Sequence, residues 1–415
     1  MAKTSVDKSL GLRGPWEILE DAYDDKARRR TVTVTCTDTS SLKCPECDQV
    51  CSFYDLRTAR QWRHLDTCTY QTIMVARLPR IKFSEHGVKT ALIPWADPSS
   101  RYTHAFEAYV IGWAKEASIL AVSRQLGIGW KGINGIIHRA VERGLGRRTE
   151  RVAAHICVDE VSYKKRHKYL TIVSDAATGT VLYVGIGRNK TALVRWYQQL
   201  SSAQLHGIRS VSMDMWPAYI RASEDSLPNA AEKICFDRFH VAKCLGEAVD
   251  KVRRQEHKEL RKEGNQMLTG SKYTWLKSPP NMSMKQKRAF YALRTSTLKT
   301  ARAWAIKEMA RNLWHYVSRT WALKGWKRWL SWAMRCRLEP VKEAAKTIKN
   351  HLWGIINAII LKVSNGPAES INSRIKTIKV RSRGFRNKDR FVDAIYFHLG
   401  GLDLSPGIRN LNFSQ

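Results

Sequence analysis

A multidomain α/β fold is what the sequence predicts, and three observations lead there. Short apolar runs rich in β-branched residues, HICVDEVSY, YLTIVSDAA and TVLYVGIG, open the middle of the chain, and each ends in turn residues. Helix-period stretches such as ALVRWYQQL then alternate with further short runs, RSVSMDM and EKICFD, the pattern of a sheet layered with helices. Between about 245 and 360 the chain is almost wholly helical in character, with Trp275, Trp304, Trp314, Trp321, Trp326, Trp329, Trp332 and Trp353 interleaved with Lys and Arg. Most of these tryptophans are expected in a core, with one or two left outside it. SPPN at 278–281 interrupts the helical stretch.

Taken in chain order, residues 1–30 are polar, lack periodicity and read as a flexible arm. Residues 31–98 carry strand patterns in TVTVTCT and YQTIMVARLPRIKF around a turn-rich CPEC, which suggests a small ribbon domain. Residues 99–150 turn helical, and ASILAVSRQLGIGWKGINGIIHRAVERGL at 117–145 reads as two helices joined at Leu126-Gly127-Ile128, a helix-turn-helix. Its buried positions are predicted at Ile119, Val122, Leu126, Ile133, Ile136 and Ile137. Trp130, Lys131, Asn134 and His138 then fall on the outer face of the second helix. The α/β region divides into 151–245, a helical segment at 246–360, and a last part at 361–415.

Charge narrows the function class. The 415 residues hold 71 Lys and Arg against 37 Asp and Glu, a formal net charge of +34. Self-repulsion on that scale favours a polyanionic partner, and nucleic acid fits best. A membrane is the weaker explanation, because no uninterrupted apolar run of about 18 residues occurs and no signal-peptide pattern opens the chain. Nine cysteines, five of them crowded between Cys36 and Cys68, resemble metal ligation in a reducing, cytoplasmic compartment more than a disulfide framework. CPEC supplies Cys44 and Cys47, half of a tetrahedral zinc site, and the remaining ligands must come from Cys36, Cys51, Cys68, His64 or His86.

The acids are few enough to weigh individually. Asp159 and Glu160 adjoin in ICVDEV, and strand alternation lets only one of them join a given site; alternatively the strand ends there and both are solvated. Asp214 closes another apolar run. Asp237 precedes a helix and is most simply an N-cap, while His240 one turn later is either a packed histidine or an auxiliary acid or base. Glu369 lies in SNGPAESINSRIKTIKV, two residues after Pro367, where a carboxylate suits the positive end of the macrodipole. Ile371, Ile375 and Ile378 mark a buried stripe on this helix, and Arg374, Lys376, Lys379 and Arg381 cover its other faces. Glu369 is therefore either a capping acid or a ligand that holds a divalent metal against a phosphate. Asp159, Asp214 and Glu369 could together hold two Mg²⁺ ions about 4 Å apart, one activating the attacking oxygen and one stabilising the leaving oxygen of a phosphoryl displacement.

Over nearly its whole length the chain resembles the IS-L-three family of bacterial insertion-sequence transposases. The likeness is carried by CPEC, RQWRHLDTC, RLPRIKFSEHGVK, IPWA, the helix-turn-helix, VDEVS, SMDMWPAY, FDRFH, SNGPAESINSRIKTIK, GFRNKDRF and AIYFHLGGL. The resemblance implies an RNase H-like catalytic domain of the DDE type, interrupted by a helical insertion and preceded by a zinc-ribbon-like domain and the helix-turn-helix. It implies catalytic roles for Asp159, Asp214 and Glu369 with Mg²⁺ or Mn²⁺, and leaves Glu160 a neighbour. It implies binding to the element's terminal inverted repeats and to target double-stranded DNA, strand cleavage and strand transfer, and a homodimer close to the bacterial nucleoid. Arg374, Lys376, Lys379, Arg381, Arg383 and Arg386 would contact DNA. The family usually has a cysteine where this chain has Phe83, so only Cys44, Cys47 and His86 match its zinc set. The competing expectation is a sequence-specific DNA-binding regulator whose α/β domain only dimerises.

Overall fold

The computed structural model describes residues 10–12, 14–149, 153–164, 168–277, 282–296 and 298–407. The first nine residues of the expected arm and the SPPN interruption lie outside this set. The chain divides into two compact units, Met1–Thr149 together with Arg381–Gln415, and Glu150–Val380.

In the first unit, β1 (Trp16–Asp24), β2 (Arg29–Cys36), β5 (Gln71–Ala76) and β4 (Arg60–Arg63) form a four-stranded sheet in the order β1-β2-β5-β4. Every second residue of β2 and β5 is buried, with Val32, Val34, Met74 and Ala76 inside. Trp16, Trp62 and Trp95 close this core through edge-to-face contacts at 4.9 and 5.7 Å. A flexible arm is thus corrected over 16–24, which is a paired strand. Its polar composition concealed it, because only Trp16 is buried on this edge strand. The strand is held in part by Asp21, which accepts two hydrogen bonds from the buried Arg30 guanidinium at 2.9 and 2.6 Å. A three-stranded sheet, β3 (Ser52–Leu56), β6 (Pro79–Phe83) and β7 (Gly87–Thr90), carries the CPEC turn beside it.

The helices α1 (His104–Glu116), α2 (Ile119–Leu126) and α3 (Trp130–Gly146) follow. Gly127 ends α2 with φ +62°, the left-handed turn that glycine adopts without strain. Val122, Ile133, Ile136 and Ile137 are buried as expected, whereas Ile119 and Leu126 are only half-buried at the ends of the short α2. Beneath these helices the fully buried Glu107 pairs with Arg139 and with Arg143, and Arg143 also reaches Asp97 at 2.7 Å. Residues after 380, expected with the last part of the α/β region, pack instead in this first unit. There α16 (Lys388–Leu399) lies against α3, and Asp393 meets His138 at 3.1 Å.

The second unit is built on a five-stranded sheet in the order β10-β9-β8-β11-β12. β8 (His155–Lys164), β9 (Lys168–Asp175) and β10 (Thr180–Ile186) are antiparallel neighbours, while β11 (Ser210–Met213) and β12 (Ile234–Phe236) join in parallel. Helices α4 (Lys190–Tyr197), α5 (Ser202–Gly207), α6 (Pro217–Ser226) and α7 (Ala230–Lys233) connect the strands. A helical segment then runs through α8 (Arg238–Lys262), α9 (Lys272–Leu276), α10 (Met284–Thr295), α11 (Lys299–Asn312), α12 (Arg319–Arg335), α13 (Glu339–Asn350) and α14 (Leu352–Leu361) before α15 (Gly366–Arg381). One apolar core is continuous from the sheet into these helices. Trp275, Trp304, Trp326 and Trp329 are buried in it, whereas Trp321 and Trp332 are exposed. The buried Glu256 of α8 accepts the backbone N–H groups of Lys299 and Thr300 at 2.6 and 2.7 Å, so one helix caps the positive end of another. No helix among the described residues is long and apolar enough to cross a membrane.

His64 gives the first unit a pH-dependent stability. It is buried, hydrogen-bonded to Thr103 at 2.9 Å, and burial lowers its pKa to about 4, with Arg30 and Arg63 adding to the effect. The unfolded chain binds the extra proton between pH 6.5 and 4, so this contribution is complete above 6.5, lost as pH falls through that window, and flat below it. His64 should cost roughly 3 kcal/mol across the window, so in urea titrations the stability of His64→Gln relative to wild type should rise by about that amount as pH falls from 6.5 to 4.

Candidate functional site

The parallel strand register gathers the acids. Ser212 pairs with Cys157 across β11 and β8, and Met213 pairs with Phe236 across β11 and β12. Continuing past the end of β11 sets Asp214 level with Asp159 on one side and with Asp237 on the other. Ligand sites in open α/β sheets lie beyond such carboxyl ends.

Asp159 sits mid-strand, because β8 runs on to Lys164, so the strand does not end at these acids as one reading allowed. One of its carboxylate oxygens accepts the Glu160 N–H at 2.7 Å, and the other accepts the Asn372 side-chain N–H at 2.7 Å. Burial, helped by the charges of Glu160 and Asp214 and opposed by the Glu160 N–H and by His240, pushes its pKa up to about 6. Glu160 points away by strand alternation and lies 3.5 Å from Arg188, whose guanidinium is stacked between Tyr169 and Trp216.

Asp237 is the N-cap its sequence position suggested, accepting the Phe239 N–H at 3.0 Å. It also accepts the Asn365 N–H at 3.1 Å, which ties the start of α8 to the start of α15. Burial works against its charge, but His240 and these N–H groups outweigh that and keep its pKa below the usual value. His240 is half-buried with one nitrogen 3.6 Å from Asp237 and the other 3.9 Å from Asp214. Asp237 raises its pKa, so it favours the cationic form between two acids rather than a neutral core role.

On α15 the stripe Ile371, Ile375 and Ile378 is buried as its spacing predicted. Glu369 is exposed, and its carboxylate has no hydrogen-bond or ion-pair partner among the described residues, so it forms no side-chain cap. Asn372 lies three residues on, hence on the same helix face. Its grip on Asp159 therefore turns the Glu369 face of α15 toward β8. The sequence reading overlooked Asn372, although its i+3 spacing from Glu369 was a usable signal.

These residues suit a hard divalent cation, which prefers oxygen ligands. A buried carboxylate resists ionisation without a cation beside it, Asp214 and Glu369 are accessible, and the buried side-chain oxygens of Asn365 and Asn372 have no hydrogen-bond partner among the described residues. The three carboxylates are not drawn into one tight knot. Among the described residues the only three potential ligands within 4.8 Å of one another are Cys44, Cys47 and His86. Mutual repulsion keeps bare carboxylates apart, and ligands on either side of two ions about 4 Å apart need wider spacing than a mononuclear site.

At the ribbon, Cys44 lies 3.4 Å from His86, and backbone N–H groups of Glu46 and Cys47, then the Cys47 and His86 side chains, lower the Cys44 pKa to about 7. Such a thiol is prepared for a soft cation such as zinc. Phe83 stacks on His86 at 5.4 Å, so an aromatic ring occupies the position where a fourth ligand was expected. Of the other candidates, the buried Cys51 packs in the same small core as Cys44; His64 is engaged by Thr103, and Cys68 is exposed.

On the helix-turn-helix, Trp130 and Lys131 are exposed at the start of α3, and Asn134 donates to the Trp130 carbonyl at 2.7 Å. His138 is taken up by Asp393 and, at 3.3 Å, by Glu142. Lys379 donates to the Ser162 carbonyl at 3.0 Å and so fastens α15 to β8, while Arg374 and Lys376 are exposed.

Comparison with known proteins matches this architecture segment by segment. Residues 41–86 match the zinc-finger of transposase IS204/IS1001/IS1096/IS1165, residues 92–141 the helix-turn-helix domain of transposase family ISL3, and residues 156–395 the ISL3 DDE transposase model. The chain is 28% identical over 385 residues to the transposase for insertion sequence element IS1557 of Mycobacterium tuberculosis, covering 86% of each protein. It is 23% identical over 367 residues to the transposase for insertion sequence element IS1001 of Bordetella parapertussis, covering 87% of this chain and 90% of that one. The DNA-binding regulator is therefore not the favoured reading: the chain belongs to the ISL3 family of insertion-sequence transposases, DNA-binding enzymes that cut and transfer DNA strands.

Proposed function

We propose that this transposase binds the terminal inverted repeats of its element through the ribbon and α3, cuts the strand to leave a 3′-OH, and joins that end to target DNA. Its catalytic unit is RNase H-like, interrupted by a helical insertion over α8 to α14, and it acts as a dimer in the cytoplasm, with the DNA it serves. Asp159, Asp214 and Glu369 are the catalytic acids. The observation that carries this reading is the hydrogen bond from Asn372 to Asp159, which holds the Glu369 face of α15 to the strand that bears the first acid.

Two Mg²⁺ or Mn²⁺ ions bound there would supply the charge that favours attack on, and departure from, a phosphate. The chain's own part is to present that site. Burial keeps Asp159 reluctant to ionise until a cation adjoins it, and Asn372 fixes its orientation. Asp237 anchors the turn before α15 so that Glu369 starts the helix in place. His240, lying between Asp214 and Asp237 with its pKa raised by them, offsets their repulsion when it carries a proton. Exposed Arg374 and Lys376 on α15 are free to hold DNA phosphates, which adds affinity without sequence preference.

The test is strand cleavage and joining with duplexes taken from the DNA flanking the coding region. Asp159→Asn and Glu369→Gln should each lower the cleavage rate by on the order of 10³-fold while duplex binding stays unchanged; unaltered cleavage in both would refute the assignment. Asn372→Ala should cost about 10–100-fold, as expected for a group that orients a ligand. At the ribbon, zinc is expected on Cys44, Cys47 and His86, with the neighbouring Cys51 completing the set. Cys44→Ser should reduce bound zinc measured by elemental analysis, and should lower the unfolding temperature of the zinc-loaded protein to that of chelator-treated wild type.

A further inference from the structure

The first unit holds a groove of about 670 Å³ whose walls come from separate stretches of chain. The first turn of α2 contributes Ser118, Ile119 and Leu120, the start of α3 contributes Trp130 and Asn134, and the rest is the connection from Arg381 to Asn387 with Arg390. Four guanidinium groups line it, those of Arg381, Arg383, Arg386 and Arg390, and no carboxylate does. Arg383, Arg386 and Arg390 are exposed, and no acid pairs with any of them among the described residues. Cations held together without compensation repel one another and suit a polyanion.

The arginine connection is fastened at several points. Arg381 reaches the Glu116 carbonyl at 3.5 Å, Phe385 packs at 4.9 Å on the fully buried Phe391, and the Asn387 side chain caps α16 by accepting the Asp389 and Arg390 N–H groups at 2.7 and 3.2 Å. Its arginines are thereby held beside α3. The Ser118 hydroxyl accepts the Ala121 N–H at 3.2 Å and its carbonyl the Val122 N–H at 3.0 Å, which leaves the Ile119 and Leu120 N–H groups of the first turn of α2 for an anion. Trp130 and Asn134 occupy the N-terminal part of α3, the part of a second helix that reaches base edges in this motif.

We propose that Arg381–Arg390 is a second DNA-contacting element of the helix-turn-helix unit. Its arginines grip the sugar–phosphate strand bordering the major groove that α3 enters, so that recognition of the element's ends is shared between α3 and a segment that follows the catalytic acids in sequence. Sequence reasoning placed Arg381 on the basic faces of the Glu369 helix and named Arg383 and Arg386 only as DNA contacts; the groove brings the three together beside α3. The proposal rests on α3 being the DNA-reading helix.

The experiment uses the full chain, a duplex from the DNA flanking its own coding region, and a shuffled duplex, titrated at several salt concentrations. Arg386→Ala with Arg390→Ala should weaken binding about tenfold to both duplexes, lower the slope of log affinity against log salt by about 2, and remove protection of the sugars bordering the α3 footprint. Arg386→Lys with Arg390→Lys should restore most of the slope. Lys131→Ala with Asn134→Ala should instead reduce the preference for the flanking duplex. If the arginine variant keeps wild-type affinity and slope while the α3 variant loses preference, the helix-turn-helix reading survives and this proposal is overturned. The proposal is equally overturned if the arginine variant binds DNA normally but no longer self-associates in sedimentation, which would make the groove a protein interface. A wild-type protein that does not prefer the flanking duplex overturns both readings.

Discussion

The candidate site depends on one constraint, the parallel register between β8, β11 and β12. Side chains alternate strictly along a strand, so a slip of one residue would move Asp159 to the opposite face and put Glu160 in its place. The register is set by residues buried on both faces, Ile156 to Val158, Val211 to Met213 and Ile234 to Phe236, all apolar except Ser212. Chemistry at the strand ends is thus positioned by hydrophobic packing, with the acids carried along by it.

What the packing cannot do is hold charges together comfortably. Asp159 is largely desolvated, and its pKa near 6 expresses the cost of that burial. The surroundings answer with directed partners: the Asn372 amide on Asp159, Arg188 on Glu160, and His240 between Asp214 and Asp237. Glu369 alone of these acids has no such partner among the described residues. One strained acid beside one unengaged acid is a combination that suits a divalent cation.

The first unit applies the same economy to recognition. Its buried Glu107 binds Arg139 and Arg143 on the inner side of α3, leaving the outer side to Trp130 and Lys131. The arginines after 380 then add positive charge next to that face. Sequence distance is no guide to this partnership, since the segment follows the entire second unit in the chain.

Local patterns in the sequence already contained the strands of the α/β layer, the two helices joined at Gly127, the isoleucine stripe of α15, the N-cap role of Asp237 and the Cys44–Cys47 pair, to which only the family resemblance added His86. Each depends on short-range periodicity or on the chemistry of a single residue type. β1 was illegible because an edge strand with one buried residue looks like a polar arm. Asn372, His138 paired with Asp393, which of the tryptophans are buried and which exposed, and the arginine groove were decided only by tertiary structure. Those facts depend on which distant surfaces meet, and a contact between residues hundreds of positions apart leaves no periodic trace in either segment.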